Sequence, residues 1–249
     1  MDGTPSHPHA GLNGKALAME VHRRLCPIFG CPIEYFHRIG PMEELVSSFL
    51  NHRTRNRDAS RAYHALRAVL PTWEAVRDAP TAQVERLIAP CTWPEAKAPR
   101  LQEILRKVGE RTDGFDLGFL AHMPVSQARA WLEELPGIGR KTSAAILSFS
   151  TLRRPALPVD SHHHRVAQRL GLIPPKMGTG PAHDILAAHM PPDWDAQTVY
   201  DHHQVFMRLG QRTCHWRNPD CATCPLLDLC PEGAWRTGGS APGDLFDRR

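Results

Sequence analysis

Apolar side chains recur every three or four residues along most of the chain, which places them on one face of an α-helix. Examples of such stripes are Ala16, Leu17, Val21 and Leu25; Leu45, Phe49 and Leu50; Ala62, Leu66 and Val69; Ala98, Leu101, Leu105 and Val108; and Val199, Phe206 and Leu209. No segment shows a sustained alternation of apolar and polar residues, as a half-buried strand would require. The pattern therefore predicts an all-α fold, in which proline-rich junctions separate short helices.

One junction between two predicted helices contains a turn rich in glycine. Residues 135–142 read Leu-Pro-Gly-Ile-Gly-Arg-Lys-Thr. Pro136 and Gly137 end the preceding helix, and the two glycines allow positive φ and close backbone approach. The next helix begins with N–H groups that have no partner inside it, and such groups bind phosphate. The turn is either an ordinary connection or a phosphate-binding hairpin with Lys141 just inside its second helix.

The segment Val159-Asp160-Ser161-His162 supplies a carboxylate that two interpretations explain. Asp160 can stabilise developing positive charge and accept a proton from an attacking amine such as Lys141. The segment can also cap a helix that Gly171 ends, with either Asp160 or Ser161 as the N-cap. The two interpretations are compatible, because the helix dipole keeps a carboxylate ionised at that position.

Four of the seven cysteines lie close together near the C-terminus, namely Cys214, Cys221, Cys224 and Cys230. The first residues lack the apolar segment of a signal peptide, and no apolar run is long enough to span a membrane. We therefore expect a reducing, cytoplasmic setting, where a close cysteine cluster binds metal more often than it forms disulfides. Zinc is one metal that these four cysteines could bind. Cys26, Cys31 and Cys91 are predicted to be buried or unreactive thiols.

Composition and charge limit the remaining interpretations. The chain has 249 residues, enough for one large or two small domains, and a formal net charge of +4, which alone indicates little about nucleic acid binding. Basic residues are nevertheless concentrated at 52–57 and in the region from Arg140 to Arg169. The residues at 1–14 and 233–249 are predicted to be disordered tails.

Together, the hairpin, the aspartate segment and the cysteine spacing resemble the endonuclease III family of DNA glycosylases, which have a helix-hairpin-helix motif and an iron–sulfur cluster. The resemblance covers about residues 15–230. It implies two helical lobes, a six-helix lobe with the hairpin at 33–153 and a cluster lobe formed by 15–32 with 154–232. DNA would bind between the lobes, with Lys141 facing Asp160 there.

The same resemblance implies a bifunctional DNA glycosylase and AP lyase of base excision repair. Lys141 would attack C1′ and form a Schiff base, Asp160 would assist, and β-elimination would cut the strand. The substrate would be double-stranded DNA with damaged bases, oxidised pyrimidines above all, or abasic sites. The four cysteines would hold a [4Fe–4S] cluster, and the enzyme would act as a monomer near the nucleoid, without a membrane partner. The alternatives are a glycosylase for mismatched thymine or uracil, a non-catalytic helix-hairpin-helix protein, and an iron–sulfur redox module.

Two loops depart from the family pattern at the positions that fill the gap left by a flipped base. Where the family usually has a glutamine, this chain offers His52 or Arg53, and where it has an aliphatic residue and a tyrosine, this chain has Thr92 and Trp93. We therefore expect an altered substrate range with unchanged chemistry. The residues predicted to contact DNA are Gly137, Gly139, Arg140, Thr142, His162, Arg165, His52, Arg53, Thr92 and Trp93.

Overall fold

A computed structural model describes residues 12–238, and it divides the chain into two compact units. The hairpin unit comprises Tyr35–Arg154, and the two-segment unit combines the residues up to Glu34 with those from Pro155 onwards. The described part of the chain contains twelve α-helices and no strand. The predicted all-α fold is therefore confirmed.

The hairpin unit contains seven of these helices and a 3₁₀ turn at Gly118–His122. The helices are α2 (Pro41–Leu50), α3 (Asn56–Val69), α4 (Trp73–Asp78), α5 (Thr81–Leu87), α6 (Pro94–Arg111), α7 (Val125–Glu133) and α8 (Arg140–Phe149). Helix α2 packs against α8, and α6 packs against α4 and α5. The apolar stripes of the sequence supply the core, in which Leu45, Leu66, Leu101 and Ile146 are fully buried, except that Val69, at the last position of α3, is exposed. Burial of these stripes stabilises helices that are too short to persist alone.

The two-segment unit contains α1 (Gly14–Phe29), α9 (Ser161–Arg169), α10 (Thr179–Ala188), α11 (Ala196–Arg212) and α12 (Pro231–Arg236), with 3₁₀ turns at Cys221–Thr223 and Leu227–Leu229. Helix α11 is central, because it packs against both α9 and α1. Val21, Val166 and Phe206 are buried at these contacts. None of the described helices is long and apolar enough to cross a membrane.

Two of the predicted thiols are instead paired. Cys26 and Cys31 form a disulfide, whereas Cys91 is free and buried as predicted. The pairing arises because Gly30 ends α1 in the left-handed conformation, at φ 77°, and turns the chain back. The N–H groups of Gly30 and Cys31 then both donate to the carbonyl of Cys26, at 2.9 and 3.1 Å. The prediction of inert thiols was wrong for this pair.

The predicted tails lie mostly outside the described residues, but each overlaps a helix at its inner end. Helix α1 begins at Gly14, where the Asn13 side chain caps it by accepting from the N–H of Ala16 at 2.9 Å. Helix α12 includes residues 233–236, and the sulfur of Cys230 accepts from the N–H of Gly233. These caps order residues that composition alone assigned to disordered tails.

Candidate active site and cysteine cluster

The glycine-rich turn connects α7 to α8 as the predicted helical hairpin. Gly137 adopts φ 80°, in the left-handed region that favours glycine, whereas Gly139 at φ −102° is in an extended conformation open to other residues. Gly139 is the N-cap of α8, and no side chain caps this helix start. Lys141 lies half-buried in the first turn, and the buried Thr142 follows it. The hairpin thus places an amine beside a helix start whose dipole attracts anions.

His52 contacts this first turn directly. Its Nε2 lies 2.9 Å from the hydroxyl of Thr142. Burial, together with the positive charges of Lys141 and Lys97, lowers the pKa of His52 to about 4. His52 is therefore neutral at physiological pH and forms part of the packing beneath Lys141.

A buried lysine that sequence reasoning did not identify fixes the position of residues 50–54. Lys97 donates from its Nζ to the carbonyls of Leu50 and His52, at 2.8 and 2.7 Å, and to the hydroxyl of Thr54 at 2.8 Å. Burial lowers the pKa of Lys97. The sequence did contain a signal for its burial. Lys97 lies four residues before the buried Leu101, so both residues are on the same, buried face of α6.

The same contacts bind the two loops that depart from the family pattern. The N–H of Thr92 donates to the hydroxyl of Thr54 at 3.1 Å, and the hydroxyl of Thr92 donates to the carbonyl of Arg53 at 2.9 Å. Thr92 therefore joins the loops to each other. We call residues 51–55 the first loop and residues 91–93 the second loop.

Each of these loops presents one exposed side chain from a backbone conformation that such residues seldom adopt. Arg53 has φ 52° and Trp93 has φ 55°, and Trp93 is 55% exposed. A left-handed conformation costs a bulky residue roughly 1–3 kcal/mol, and it persists only where the surroundings impose it. Here the bonds of Lys97 and Thr92 impose it. The structure thus brings His52, Arg53, Thr92 and Trp93 together on one face of the hairpin unit.

Asp160 belongs to the two-segment unit and is the N-cap of α9, one of the two caps that the second interpretation of its segment allowed. Its carboxylate accepts from the N–H of His163 at 2.7 Å. Burial alone would raise the pKa of Asp160, but the neighbouring His203 and the hydrogen bond from the N–H of His163 outweigh it. The pKa therefore lies below its ordinary value, and Asp160 is an ionised, half-buried carboxylate.

The other predicted residues of α9 have different environments. His162 is half-buried, whereas Arg165 is buried and donates to the carbonyls of Cys214 at 2.9 Å and Gly210 at 2.7 Å. These bonds direct Arg165 towards the cysteine loop, where it fixes the loop to α9. Its predicted contact with DNA stays a prediction.

The four clustered cysteines line one small cavity in the two-segment unit. A guanidinium nitrogen of Arg169 lies 3.1 Å from the sulfur of Cys214, and the N–H of Gly233 donates to the sulfur of Cys230 at 3.3 Å. Burial raises the pKa of three of the thiols, that of Cys230 to about 12. A metal centre would supply the positive charge that thiolates need in this buried cavity.

Comparison with known proteins agrees with this geometry. Residues 46–189 match the family model described as HhH-GPD superfamily base excision DNA repair protein. Endonuclease III from Synechocystis sp. is 27% identical over 211 residues, which are 85% of this chain and 89% of that relative. Endonuclease III from Escherichia coli strain K12 is 27% identical over 216 residues, covering 87% of this chain and 95% of that relative.

Solved structures share the fold. The structure of a trapped covalent intermediate of endonuclease III with DNA matches with a TM-score of 0.75 and 23% identity, covering 91% of this chain and 100% of that one. A thermostable thymine-DNA glycosylase matches with a TM-score of 0.70 and 18% identity, covering 89% and 97%. Since the family model spans more than half of the chain and endonuclease III relatives cover most of it, the protein belongs to the HhH-GPD superfamily as a base excision repair DNA glycosylase of the endonuclease III family.

Proposed function

We propose that this glycosylase is bifunctional, releasing oxidised pyrimidines from duplex DNA and cutting the strand at the resulting abasic site. The observation that carries the proposal is the position of Lys141 in the first turn of α8, at a helix start without a side-chain cap. Such a start binds the phosphate of a substrate, and the adjacent amine can act as a nucleophile. A glycosylase that used only water would not need an amine there.

In the proposed reaction the neutral amine of Lys141 attacks C1′ of the damaged nucleotide. The new C1′–N bond forms as the bond from C1′ to the base breaks, and the base leaves with the bonding electron pair and takes up a proton. The carboxylate of Asp160 stabilises the positive charge that develops on the sugar and accepts the proton that the amine loses. Ring opening gives a Schiff base, and removal of a C2′ proton then expels the 3′ phosphate by β-elimination.

The cysteine cavity supports a [4Fe–4S] cluster more strongly than a zinc ion. No three of its four sulfurs, all of which the structure describes, lie within 4.8 Å of one another. Around a single zinc ion, with Zn–S bonds of about 2.3 Å, neighbouring sulfurs would be roughly 3.8 Å apart. Cys214, Cys221, Cys224 and Cys230 would hold the cluster, which would join the loop through iron–thiolate bonds.

Metal analysis tests the cluster. We expect iron and acid-labile sulfide in the purified protein, and we expect Cys221→Ser to lose both together with most of the soluble protein, because metal binding and folding are coupled. Cys91→Ser, which changes a free buried cysteine of the other unit, is the matched control and should keep its iron. Zinc without iron or sulfide in the native protein would contradict the proposal.

A panel of duplexes, each with one lesion, tests the activity. Base release and strand cleavage are measured separately on oxidised pyrimidines, on thymine and uracil mismatched with guanine, and on an abasic site. We expect release and cleavage to proceed together on oxidised pyrimidines. Release without cleavage would refute the lyase, and activity confined to the mismatches would assign the protein to the alternative substrate class.

A further inference from the structure

A second set of metal-ligating side chains lies at the end of α1 and on α11. The sulfurs of Cys26 and Cys31 and a carboxylate oxygen of the buried Asp201 all lie within 4.8 Å of one another. The Nε2 of His22 lies 3.5 Å from the sulfur of Cys26. None of these residues belongs to the cysteine cavity or to the proposed catalytic machinery. The three residues offer two sulfurs and one carboxylate oxygen, and His22 adds an imidazole nitrogen beside Cys26.

The local fold explains why these atoms converge. His22 and Cys26 are four residues apart on α1 and therefore share one face of that helix. The left-handed Gly30 returns Cys31 to the same helix end. Asp201 is fixed on α11 because one of its oxygens accepts from the N–H of Ile33 at 2.8 Å and from the amide of Gln197 at 2.9 Å. The carboxylate is therefore held beside the two sulfurs by bonds outside the group.

The chemistry of this donor set fits zinc, and so does the distance from its imidazole to the sulfur of Cys26; the two sulfurs would separate to roughly 3.8 Å once their bond is reduced. Zinc favours four ligands in a tetrahedron, with Zn–S bonds near 2.3 Å and Zn–N bonds of about 2.0–2.1 Å, which separates a sulfur from a nitrogen by roughly 3.5 Å. The distance between His22 Nε2 and Cys26 Sγ has this value. Closed sites with four protein ligands are structural rather than catalytic. A zinc ion here would connect α1 to α11.

We propose that His22, Cys26, Cys31 and Asp201 bind one zinc ion when the Cys26–Cys31 disulfide is reduced. A thiol reductant supplies two electrons, the S–S bond breaks, and the reductant leaves as its own disulfide. Zinc then replaces the two thiol protons, which pass to solvent. The disulfide and the zinc ion exclude each other, so the redox state decides which of them closes the end of α1. This proposal does not depend on the proposed lyase activity.

Zinc uptake by the full chain in its two redox states tests the proposal. Oxidised protein and protein reduced with a phosphine are incubated with zinc sulfate without oxygen, passed through a desalting column, and analysed for zinc and iron by mass spectrometry. We expect the reduced protein to retain about one more zinc ion per chain than the oxidised protein. Equal zinc content in the two states would overturn the proposal.

Variants distinguish this site from the four-cysteine cavity. Cys26→Ser combined with Cys31→Ser leaves that cavity intact, and we expect it to take up no additional zinc on reduction. If it gained the same zinc as the native protein, the zinc would be elsewhere and the proposal would be wrong. Because the native comparison needs no substitution, equal zinc content in its two redox states would refute the proposal even where the double variant does not fold.

A single substitution tests the carboxylate. Asp201→Asn keeps an oxygen that can accept from Ile33 but removes the negative charge, and we expect the zinc dissociation constant of the reduced protein to rise at least about tenfold. Asp195→Asn is the matched control, since Asp195 is the N-cap of the same helix and lies outside the group. Equal dissociation constants for the two variants would exclude Asp201 as a ligand.

Discussion

The helices α8 and α9 begin in opposite ways, and each start carries one of the two residues proposed for catalysis. Helix α8 starts at Gly139 without a side-chain cap and has Lys141 in its first turn. Helix α9 starts at Asp160, whose carboxylate accepts from the N–H of His163. Both starts favour a negative charge because of the helix dipole. At α9 a side chain of the protein caps the helix with that charge, whereas no side chain caps α8, where we propose that a phosphate of the substrate binds.

The largest effect should come from removing the amine at α8. Lys141→Ala should abolish strand cleavage and borohydride trapping on DNA, because no nucleophile would remain to form the Schiff base. Lys107→Ala, which removes an exposed lysine of α6 in the same unit, is the control and should retain both activities. Covalent trapping at the native level by the Lys141 variant would show that another group is the nucleophile.

Neutralising the carboxylate at α9 should have the next largest effect. Asp160→Asn should slow single-turnover base release by about 10²–10⁴-fold, because charge stabilisation and proton acceptance would be lost. Asparagine caps helices as well as aspartate, so the free energy of unfolding should change little.

Asp195 provides a matched comparison for Asp160, since it caps α11 with the same type of bond. Asp195→Ala should cost about 1 kcal/mol of stability without slowing base release. A normal rate of base release in Asp160→Asn would mean that the carboxylate serves only as a cap.

Trp93 precedes a third helix, α6, which also starts without a side-chain cap. If its ring fills or flanks the space of a flipped base, Trp93→Ala should lower the rate on paired substrates about 5- to 150-fold, corresponding to 1–3 kcal/mol of stacking. The loss should be smaller on an abasic site that is already extrahelical.

Comparing Trp93→Gly with Trp93→Ala separates the effect of losing the ring from the effect of the strained backbone. Glycine accepts the positive φ without strain, so this variant should be more stable than Trp93→Ala while losing the same activity. Equal losses on paired and abasic substrates would contradict the proposed part of Trp93 in filling the gap.

The smallest expected effect is on the free energy of unfolding, and it comes from His52, which contacts Thr142 beside Lys141. The pKa of His52 is about 4 in the folded protein, below its ordinary value of 6.5, so the unfolded chain binds a proton first as the pH falls. Stability should therefore decrease between about pH 6.5 and pH 4, by on the order of 1–3 kcal/mol from this group.

His52→Gln should remove that part of the pH dependence, as measured by urea unfolding at several pH values. His64→Gln, a change at an exposed histidine of α3, is the control and should leave the dependence intact. An unchanged pH profile in the His52 variant would show that this histidine is protonated equally in both states.

The sequence predicted what local patterns determine. Helical spacing predicted the apolar faces around Leu66 and Leu105, and the chemistry of caps predicted that α9 starts at Asp160 or Ser161. The bonds of Lys97 could not be predicted in this way, because their acceptors lie at the end of α2 and in the first loop, more than forty residues away along the chain. The Cys26–Cys31 pairing was missed because it depends on the conformation of Gly30.

The two-segment unit also has a consequence for the order in which the protein is made. Helix α1 is complete at Phe29, but α11, against which it packs, begins only at Ala196. During synthesis the whole hairpin unit leaves the ribosome in this interval, while the apolar face of α1 has no partner. We expect a chain truncated after residue 154 and released from the ribosome to resist protease from 35 onwards and to be cleaved within α1.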